Sequence, residues 1–493
     1  MSESEPDSGL ETPLELELEL EAASPAAGLA YEAGAPTRQE LRRRTDRDIV
    51  SLAWPAVVSQ FLATSVSVID LWMLGRLGTE AQAAAGYTSQ YYQLAQAGLL
   101  GLSVACVALM ARALGAGDPA RARHAFAASL TLAFGAAIVI AGASLAFPRQ
   151  FLEILGASPH IVAVAIPYFR YTLGSSVFFA LALTIESGFR ASRNTAMPLL
   201  IATGVTGVKL ALNAVLIFGN LGFPRLELAG AGLATLVAQV AGLSLFFVLT
   251  RRRDRPESAS LRLSRADFAG ARALFGETAR ISWPAAGERL LVNSALFIYF
   301  RVLSGYGAPA IAAYTIGVRL LAFSWIAPTG ISIAASTLVG QSLGARDVRL
   351  AARAGWRAAR LSLIAALPMF LVFALLRIPL AESFTQDKAV LEPLEPFMLL
   401  LGIAQPFLSL HFTLSGALRG AGDTKTPLWS AIFGNWIFRV PLALFVANYL
   451  HADVVWVWAT VVFDHVTRAV WLTWSFRRER WARNVALGLA RDP

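Results

Sequence analysis

The sequence has little charge and almost no cysteine. Of 493 residues, only 15% are Asp, Glu, Lys or Arg, whereas 56% are hydrophobic. A soluble chain averages about a quarter charged residues, so this composition predicts a protein that crosses a membrane several times. The single cysteine, Cys106, excludes an intramolecular disulfide and a cysteine-cluster metal site.

Several classes of function lack their motifs. The only lysines are Lys209, Lys388 and Lys425, and none follows a glycine, so the glycine–lysine pair of a phosphate-binding loop is missing. We therefore expect no ATP-driven pumping by this chain alone. No metalloprotease or serine-hydrolase motif is present either, and we expect neither an enzyme nor a bound cofactor or metal.

Long apolar runs fill most of the chain. Twelve of them are long enough, at roughly 20 residues or more, to cross about 30 Å of hydrocarbon. They predict an all-α polytopic membrane protein. The predicted spans are 49–74, 86–112, 124–147, 161–186, 195–219, 228–250, 280–304, 310–341, 357–376, 394–418, 427–449 and 454–476.

The basic residues are distributed asymmetrically between alternate loops. Thirty of the 42 lie in the tails and in the loops after even-numbered spans, and six lie in the other loops. This bias predicts that both termini are cytoplasmic, in the bacterial inner membrane. The net charge of +9 therefore reflects membrane topology, and no nucleic-acid partner is expected.

The tails differ from the apolar body in composition. Residues 1–46 are acidic and contain alternating Leu and Glu over 14–21, a pattern that an amphipathic strand would also show. We expect a disordered tail, because the flanking residues are rich in Ser, Pro and Gly. No signal peptide is expected at its start, and a short cytoplasmic tail is expected over 477–493.

The chain repeats itself at a nearly constant spacing. Trp54-Pro55 returns as Trp283-Pro284, Leu114-Gly115-Ala116 as Leu343-Gly344-Ala345, Ser187-Gly188 as Ser415-Gly416, and Pro198 as Pro427. A repeat that spans six helices predicts two bundles of the same orientation, over 47–250 and 280–476, joined by a basic cytoplasmic linker over 251–279. Such parallel repeats are typical of alternating-access transporters.

These motifs resemble those of the multidrug and toxic compound extrusion (MATE) transporters. The matching segments begin with Pro55 to Asp70 and end with Arg419-Gly420-Ala421-Gly422-Asp423. The resemblance covers roughly residues 47–481. It implies a V-shaped pair of six-helix bundles that exports cationic or amphipathic small molecules in exchange for protons or sodium. We expect the protein to work as a monomer.

Asp70 is the first candidate for a coupling residue. An acid in an apolar helix is costly unless it serves a function, although this one could instead reach the membrane interface from the helix end. The resemblance places it in a cavity of the first bundle, beside Lys209. A resident ammonium disfavours a sodium site, so protons are the predicted coupling ion. Lys209 could alternatively extend its ammonium to the surface.

Other candidates depend more heavily on the resemblance. Asn213 fits the family's fifth-helix pattern, and Thr235 resembles a hydroxyl near the same site. A substrate path is predicted along four residues, namely Glu288, Tyr299, His411 and Tyr91. Glu288 could instead pair with Arg289 or Arg319, His411 could be a packing residue, and Asp464 could pair with Arg468 four residues later.

Tyr299 occupies the position in the second repeat that Asp70 occupies in the first. The second bundle therefore lacks the acid, and a proton site is predicted in the first bundle alone. The alternative function is a lipid-linked precursor flippase of the same superfamily. That alternative stays open because flippases face pyrophosphate with cationic cavities, and this chain contains the basic residues Lys209, Arg170 and Arg439.

Overall fold

The fold was analysed in a computed structural model, which describes residues 38–251 and 258–482. Helices account for the regular structure, and no strand occurs in these two ranges. The all-α prediction is therefore confirmed. The alternating Leu–Glu segment over 14–21 lies outside the described residues.

The first repeat, as described from residue 38 to residue 251, is built from α-helices, of which α4 is a short connection. They are α1 (Arg38–Gly75), α2 (Thr79–Gly115), α3 (Pro119–Ala146), α4 (Pro148–Ile154), α5 (Pro159–Gly174), α6 (Ser176–Ala191), α7 (Ala196–Phe218) and α8 (Glu227–Arg251). A 3₁₀ turn over Asn220–Gly222 follows α7.

The second repeat begins after two short helices in the connecting segment. The connecting helices are α9 (Ser258–Leu261) and α10 (Arg265–Ala271), with a 3₁₀ turn over Arg272–Leu274. The remaining α-helices are α11 (Phe275–Ser304), α12 (Ala308–Ser324), α13 (Ile326–Gly344), α14 (Val348–Leu375), α15 (Arg377–Glu382), α16 (Lys388–Gly420), α17 (Lys425–Ala431), α18 (Val440–Asn448) and α19 (Val454–Arg477).

Ten helices within the described ranges are long and apolar enough to cross a membrane. In two of these spans the helix is interrupted, at Ser175 between α5 and α6 and at Trp325 between α12 and α13. The seventh and twelfth predicted spans correspond to α11 and α19, which have 30 and 24 residues and are not among these ten. The count of twelve stays a prediction.

The structure adds helices to two segments outside the predicted bundles. Helix α1 begins at Arg38, so residues 38–46 are helical rather than disordered. Helices α9 and α10 and the start of α11 lie within the predicted linker over 251–279. A basic composition does not prevent a helix, since Arg is a good helix former.

The first helix of each repeat packs at its start against the other repeat. Leu52 of α1 belongs to a buried cluster with Leu338 and Leu343 of α13. At the repeat-equivalent position, Ile281 of α11 belongs to a buried cluster with Met110 of α2. Because lipid is as apolar as these side chains, their close packing stabilises the association of the repeats through van der Waals contacts.

Two glycines form a reciprocal contact between the repeats. Gly115, at the end of α2, lies so close to Gln341 that a Cβ atom would overlap its carbonyl group. Gly344, at the end of α13, lies equally close to the carbonyl of Arg112. The two glycines are repeat equivalents, as are Arg112 and Gln341, so the contact has an approximate two-fold symmetry. We call this contact the glycine latch.

Side chains extend the glycine latch to the ends of two further helices. Arg112 donates a hydrogen bond to the carbonyl of Ala421, just after α16. Its repeat equivalent, Gln341, donates to the carbonyl of Ala191 at the end of α6, at 2.8 Å. These bonds satisfy carbonyl groups that a helix end leaves without partners. The two repeats are therefore joined by polar as well as steric contacts at this end.

One segment of the second repeat is a π-helix. It covers Ile432–Arg439 between α17 and α18, and Val440 donates its backbone hydrogen bond to Asn435, five residues earlier. The corresponding part of the first repeat lies within α7, which is a regular α-helix. Because a π-helix places an extra residue in a turn, residues after it are shifted relative to the first repeat.

Candidate functional site

Asp70 lies five residues before the end of α1 and faces α7. Lys209 and Asn213 are four residues apart on α7 and therefore share one helical face. The Lys209 ammonium donates to one carboxylate oxygen of Asp70. The Asn213 amide donates to the other at 2.7 Å. Both carboxylate oxygens are thus bound by groups from one helix.

This pair is mostly enclosed. The side chains of Lys209 and Asp70 are 20% and 23% exposed. Together with Asn213, they line a cavity of about 10 Å³ whose other walls are Leu74, Tyr168, Ala231 and Thr235. That volume holds about one water molecule. We call Asp70, Lys209, Asn213 and Thr235 the acid pocket.

Thr235 lies at the acid pocket without contacting the carboxylate. Its hydroxyl donates to the carbonyl of Ala231, four residues earlier on α8, at 3.0 Å. The structure therefore brings all four predicted coupling residues to one place. Three of them are joined directly by hydrogen bonds, and Thr235 completes the wall.

A second, much larger cavity of about 890 Å³ is lined mainly by the second repeat. Of the four residues predicted along a substrate path, Glu288, His411 and Tyr91 line this cavity. Tyr299 does not, because it is fully buried and its hydroxyl donates to the carbonyl of Val457 at 2.8 Å. Its position behind the cavity wall contradicts its predicted place in the path.

Glu288 is bound by arginines that sequence reasoning did not predict as its partners. Its two oxygens accept hydrogen bonds of 2.8 and 2.6 Å from Arg419 on α16. Arg468 on α19 lies 3.5 Å away. The expected partners, Arg289 and Arg319, do not form this ion pair. Helix packing brings residues 131 positions apart together here, which sequence spacing along one helix cannot indicate.

Asp464 also has a different partner from the expected one. Arg439, at the end of the π-helix, lies 3.8 Å from its carboxylate, whereas Arg468 is used by Glu288. The Arg439 guanidinium also lies over the ring of Tyr299, 4.2 Å from its centroid. Such a cation–π contact is worth roughly 2 kcal/mol when desolvated.

His411 has a histidine partner. Its Nε2 lies 3.1 Å from Nδ1 of His465 on α19, and the rings stack with centroids 5.1 Å apart. Both side chains are buried. His465 was missed because a single histidine within an apolar run carries no spacing signal.

A duplicated helical membrane chain with an enclosed ion pair and a large cavity at its centre has the architecture of a secondary transporter. Comparison with known families agrees with this architecture. The MatE family model matches the chain twice, over residues 55–215 and 284–445. The chain belongs to the MatE family, a family of membrane transporters and not of enzymes, which confirms the resemblance noted in the sequence.

The similarity to known proteins extends over almost the whole chain. A probable multidrug resistance protein NorM of Rhodopseudomonas palustris is 30% identical over 466 residues, which is 92% of this chain and 96% of that protein. A probable NorM of Thermotoga maritima is 24% identical over 90% of this chain and 94% of its own length. The structure of a mutant MATE transporter VcmN from Vibrio cholerae has a TM-score of 0.82 at 20% identity, covering 90% of this chain and 99% of that one. The chain is therefore a multi-pass MATE transporter related to NorM multidrug efflux proteins.

The two family matches bear on which residue corresponds to Lys209, because they differ in length. They begin at 55 and 284 and end at 215 and 445, so the second match contains one extra position. This extra position agrees with the π-helix over Ile432–Arg439. With that shift, Lys209 corresponds to Arg439, and its partner Asp70 corresponds to Tyr299. The second repeat thus replaces the ion pair of the first with a cation–π pair.

Proposed function

We propose that the protein is a secondary active exporter that couples outward movement of amphipathic small molecules to inward flow of protons. Asp70 and Lys209 are the coupling pair. The observation that carries this proposal is the bonding of both Asp70 oxygens by Lys209 and Asn213.

The pair offers two states that differ by one proton. In one, an ionised Asp70 holds Lys209 close to α1. In the other, a proton on the carboxylate removes its charge and releases the ammonium. In a low-dielectric environment the second state strongly favours movement of α7 relative to α1, because an unpaired ammonium needs another partner or water. Proton binding can thereby drive a change of conformation.

Sodium fits the acid pocket poorly. A hard cation needs several oxygen ligands, whereas Lys209 and Asn213 both present donors to the carboxylate. The enclosed volume of about 10 Å³ has no room for a hydrated ion, and an ammonium in direct contact would repel it.

Transport by reconstituted protein tests this proposal. We expect efflux of a fluorescent substrate in sodium-free buffer under an imposed pH gradient, and its loss in Asp70→Asn at unchanged membrane insertion. The matched control is Glu80→Gln, which alters an exposed acid of the same repeat outside the acid pocket. A strict requirement for sodium would contradict proton coupling.

We further propose location in the bacterial inner membrane with both termini cytoplasmic, supported by the asymmetric distribution of arginines between loops. The division into bundles over 47–250 and 280–476 is proposed from the internal sequence repeat, and monomeric function is proposed with it.

One observation favours a second candidate function. The large cavity is lined by more arginines than acids, which agrees with a flippase for lipid-linked precursors. Tight binding of a polyprenyl pyrophosphate, with no transport of soluble compounds, would favour this candidate over export.

A further inference from the structure

The large cavity contains an excess of positive charge. We define the arginine cluster as the four guanidinium groups that line it, which belong to Arg289, Arg419, Arg439 and Arg468. Two acids, Glu288 and Asp464, line the same cavity. With the histidines neutral, two positive charges remain without an acid.

Building on the export function proposed above, we infer that the substrate is an amphipathic organic anion. Its carboxylate or phosphate head group binds the arginine cluster, and its apolar body occupies the rest of the cavity. The sequence, by contrast, predicts cationic substrates from the family resemblance.

Both acids in the cavity already have partners. Glu288 accepts two hydrogen bonds from Arg419, and its side chain is only 5% exposed. The Asp464 side chain is 2% exposed and lies 3.8 Å from Arg439, and its Oδ1 has no hydrogen-bond partner. An organic cation would have to displace Arg419 from Glu288, leaving a buried charge unpaired, or enter beside Arg439 to reach the buried Asp464. That exchange is unfavourable in a low-dielectric site.

The arginines, in contrast, retain unused donors. The Nε atoms of Arg419, Arg439 and Arg468 are buried and have no hydrogen-bond partner. The side chains of Arg439 and Arg468 are each 8% exposed. A buried donor without an acceptor is costly, and these guanidinium groups line the cavity, so an anion bound there would offset part of the cost of their buried positive charge. The planar guanidinium matches the geometry of carboxylate and phosphate oxygens.

Of the four arginines in the cluster, Arg289 is the most available to bind such an anion. It lines the cavity on α11 and is exposed there. No hydrogen-bond or ion-pair partner contacts its side chain within residues 38–251 and 258–482. Its charge is therefore available to a ligand without breaking an existing ion pair.

The remaining wall suits an apolar body. Phe297 of α11, Trp325, and Phe412 of α16 line the cavity, and Trp325 and Phe412 stack with centroids 6.3 Å apart. From the first repeat, Leu94 and Tyr91 of α2 face the same space. Large apolar surfaces with a few converging polar groups are typical of small-molecule sites.

The arginine cluster includes the repeat counterpart of the coupling residue. With the π-helix taken as the extra residue, Arg439 corresponds to Lys209. The second repeat has kept the cation at this position and lost the acid, Asp70. In the first repeat, the cation is paired with the carboxylate of Asp70. In the second repeat, the corresponding cation has no such acid and can bind an anionic ligand instead.

Transport of two dyes of opposite charge tests the inference. Proteoliposomes with an imposed pH gradient are loaded with a carboxylated fluorescein, as the anion, or with ethidium, as the cation. We expect the natural sequence to prefer the anion. Arg289→Gln should raise the concentration for half-maximal anion transport by roughly tenfold to a hundredfold, the loss expected for a hydrogen-bonded charge contact.

Arg319→Gln is the matched control. Arg319 is an exposed arginine of the same repeat, on α12, and it is absent from the cavity wall. It should leave anion transport unchanged. Binding of the anion to detergent-solubilised natural protein, measured by thermal shift and competed by inorganic phosphate, provides a readout that needs no variant.

The outcomes separate the inference from the export function. If ethidium is transported, the anion is not, and Arg289→Gln has no effect, the anion inference is wrong and export stands. If neither dye moves but undecaprenyl phosphate binds through Arg289, the anionic class stands, its source is a lipid, and export of soluble compounds is wrong. Absence of any transport or binding would overturn both.

Discussion

At the residue scale, the acid pocket holds one carboxylate between two donors from a single helix. Lys209 contributes charge, and Asn213 contributes a neutral hydrogen bond of 2.7 Å. These two contributions differ in their response to a proton. A protonated Asp70 can still accept from the amide on one oxygen, but it no longer holds the ammonium by charge. Asn213 therefore holds the Asp70 carboxyl group in place in both protonation states, whereas the contact with Lys209 depends on whether that carboxyl group is charged.

The mutual dependence of Asp70 and Lys209 can be tested through stability. Lys209→Met leaves the carboxylate without its counter-charge, so we expect a loss of about 1–3 kcal/mol in the free energy of unfolding. The double variant Lys209→Met/Asp70→Asn should recover most of this loss, because neither partner is then charged. Thermal unfolding of the detergent-solubilised variants measures both effects.

The double variant should regain stability but not transport, since no titratable group remains in the pair. A double variant as unstable as Lys209→Met would show that the two side chains act independently.

The sequence predicts the residues of the acid pocket better than those of the large cavity. Asp70 and Lys209 are conspicuous because each is a charged residue inside an apolar run, where charge is rare. Arg419 lies at a helix end beside a turn motif, where arginine is common, so its bond to Glu288 could not be predicted. That bond joins side chains 131 positions apart in the sequence, which no local pattern specifies.

At the scale of single elements, the π-helix over Ile432–Arg439 decides which residues face the cavity. It shifts the second repeat by one residue, so the counterpart of Lys209 is Arg439 rather than Phe438. The repeat motifs in the sequence end at Pro427, before the π-helix begins at Ile432. The sequence motifs therefore do not indicate this shift, which depends on the helix geometry.

Helix α10, outside the membrane-spanning helices, is fixed by one acid. Asp267 accepts hydrogen bonds from the backbone and side chain of Ser264 at 2.7 and 2.6 Å. Arg123 of α3 lies 3.1 Å away. Burial would raise the pKa of Asp267, but these hydrogen bonds and the charge of Arg123 together lower it below its usual value. The ionised carboxylate is thus the form that joins α10 to α3.

Asp267→Asn should therefore destabilise the protein in a pH-dependent way. Because the pKa is lowered on folding, the carboxylate stabilises the protein above the ordinary pKa of about 4. This contribution disappears as pH falls through the lower value of the folded state. We expect a loss of about 1 kcal/mol at pH 7, typical of a helix cap.

Unfolding of both proteins between pH 3 and pH 7 measures this effect. The difference between them should be constant from pH 7 to pH 5 and should shrink below about pH 4. A difference independent of pH throughout would show that the charge of Asp267 contributes nothing.

At the scale of the whole molecule, the glycine latch joins the two repeats. Gly115→Ala or Gly344→Ala would place a methyl group on the backbone of the opposite repeat. We expect each to destabilise the conformation with the latch closed by roughly 1–3 kcal/mol, the cost of overpacking. A thiol-reactive label should then more readily reach a cysteine placed at Thr337, whose hydroxyl donates to the carbonyl of Arg190 in the first repeat at 3.1 Å.

Gly135→Ala is the matched control for the latch variants. Gly135 lies within a membrane helix, and an added Cβ would meet no other group within 4 Å. It should leave labelling unchanged and stabilise α3 by about 0.5–1 kcal/mol. Equal labelling of the latch and control variants would contradict a role for the latch in holding the repeats together.

The symmetry of the glycine latch has a kinetic consequence. An opening motion that preserves this approximate two-fold symmetry separates Gly115 from Gln341 and Gly344 from Arg112 at the same moment, so neither contact opens first. Opening should therefore be all-or-none, with the full cost concentrated in a single barrier. Such a protein would spend almost no time half open, and protons would have little opportunity to leak through it between productive cycles.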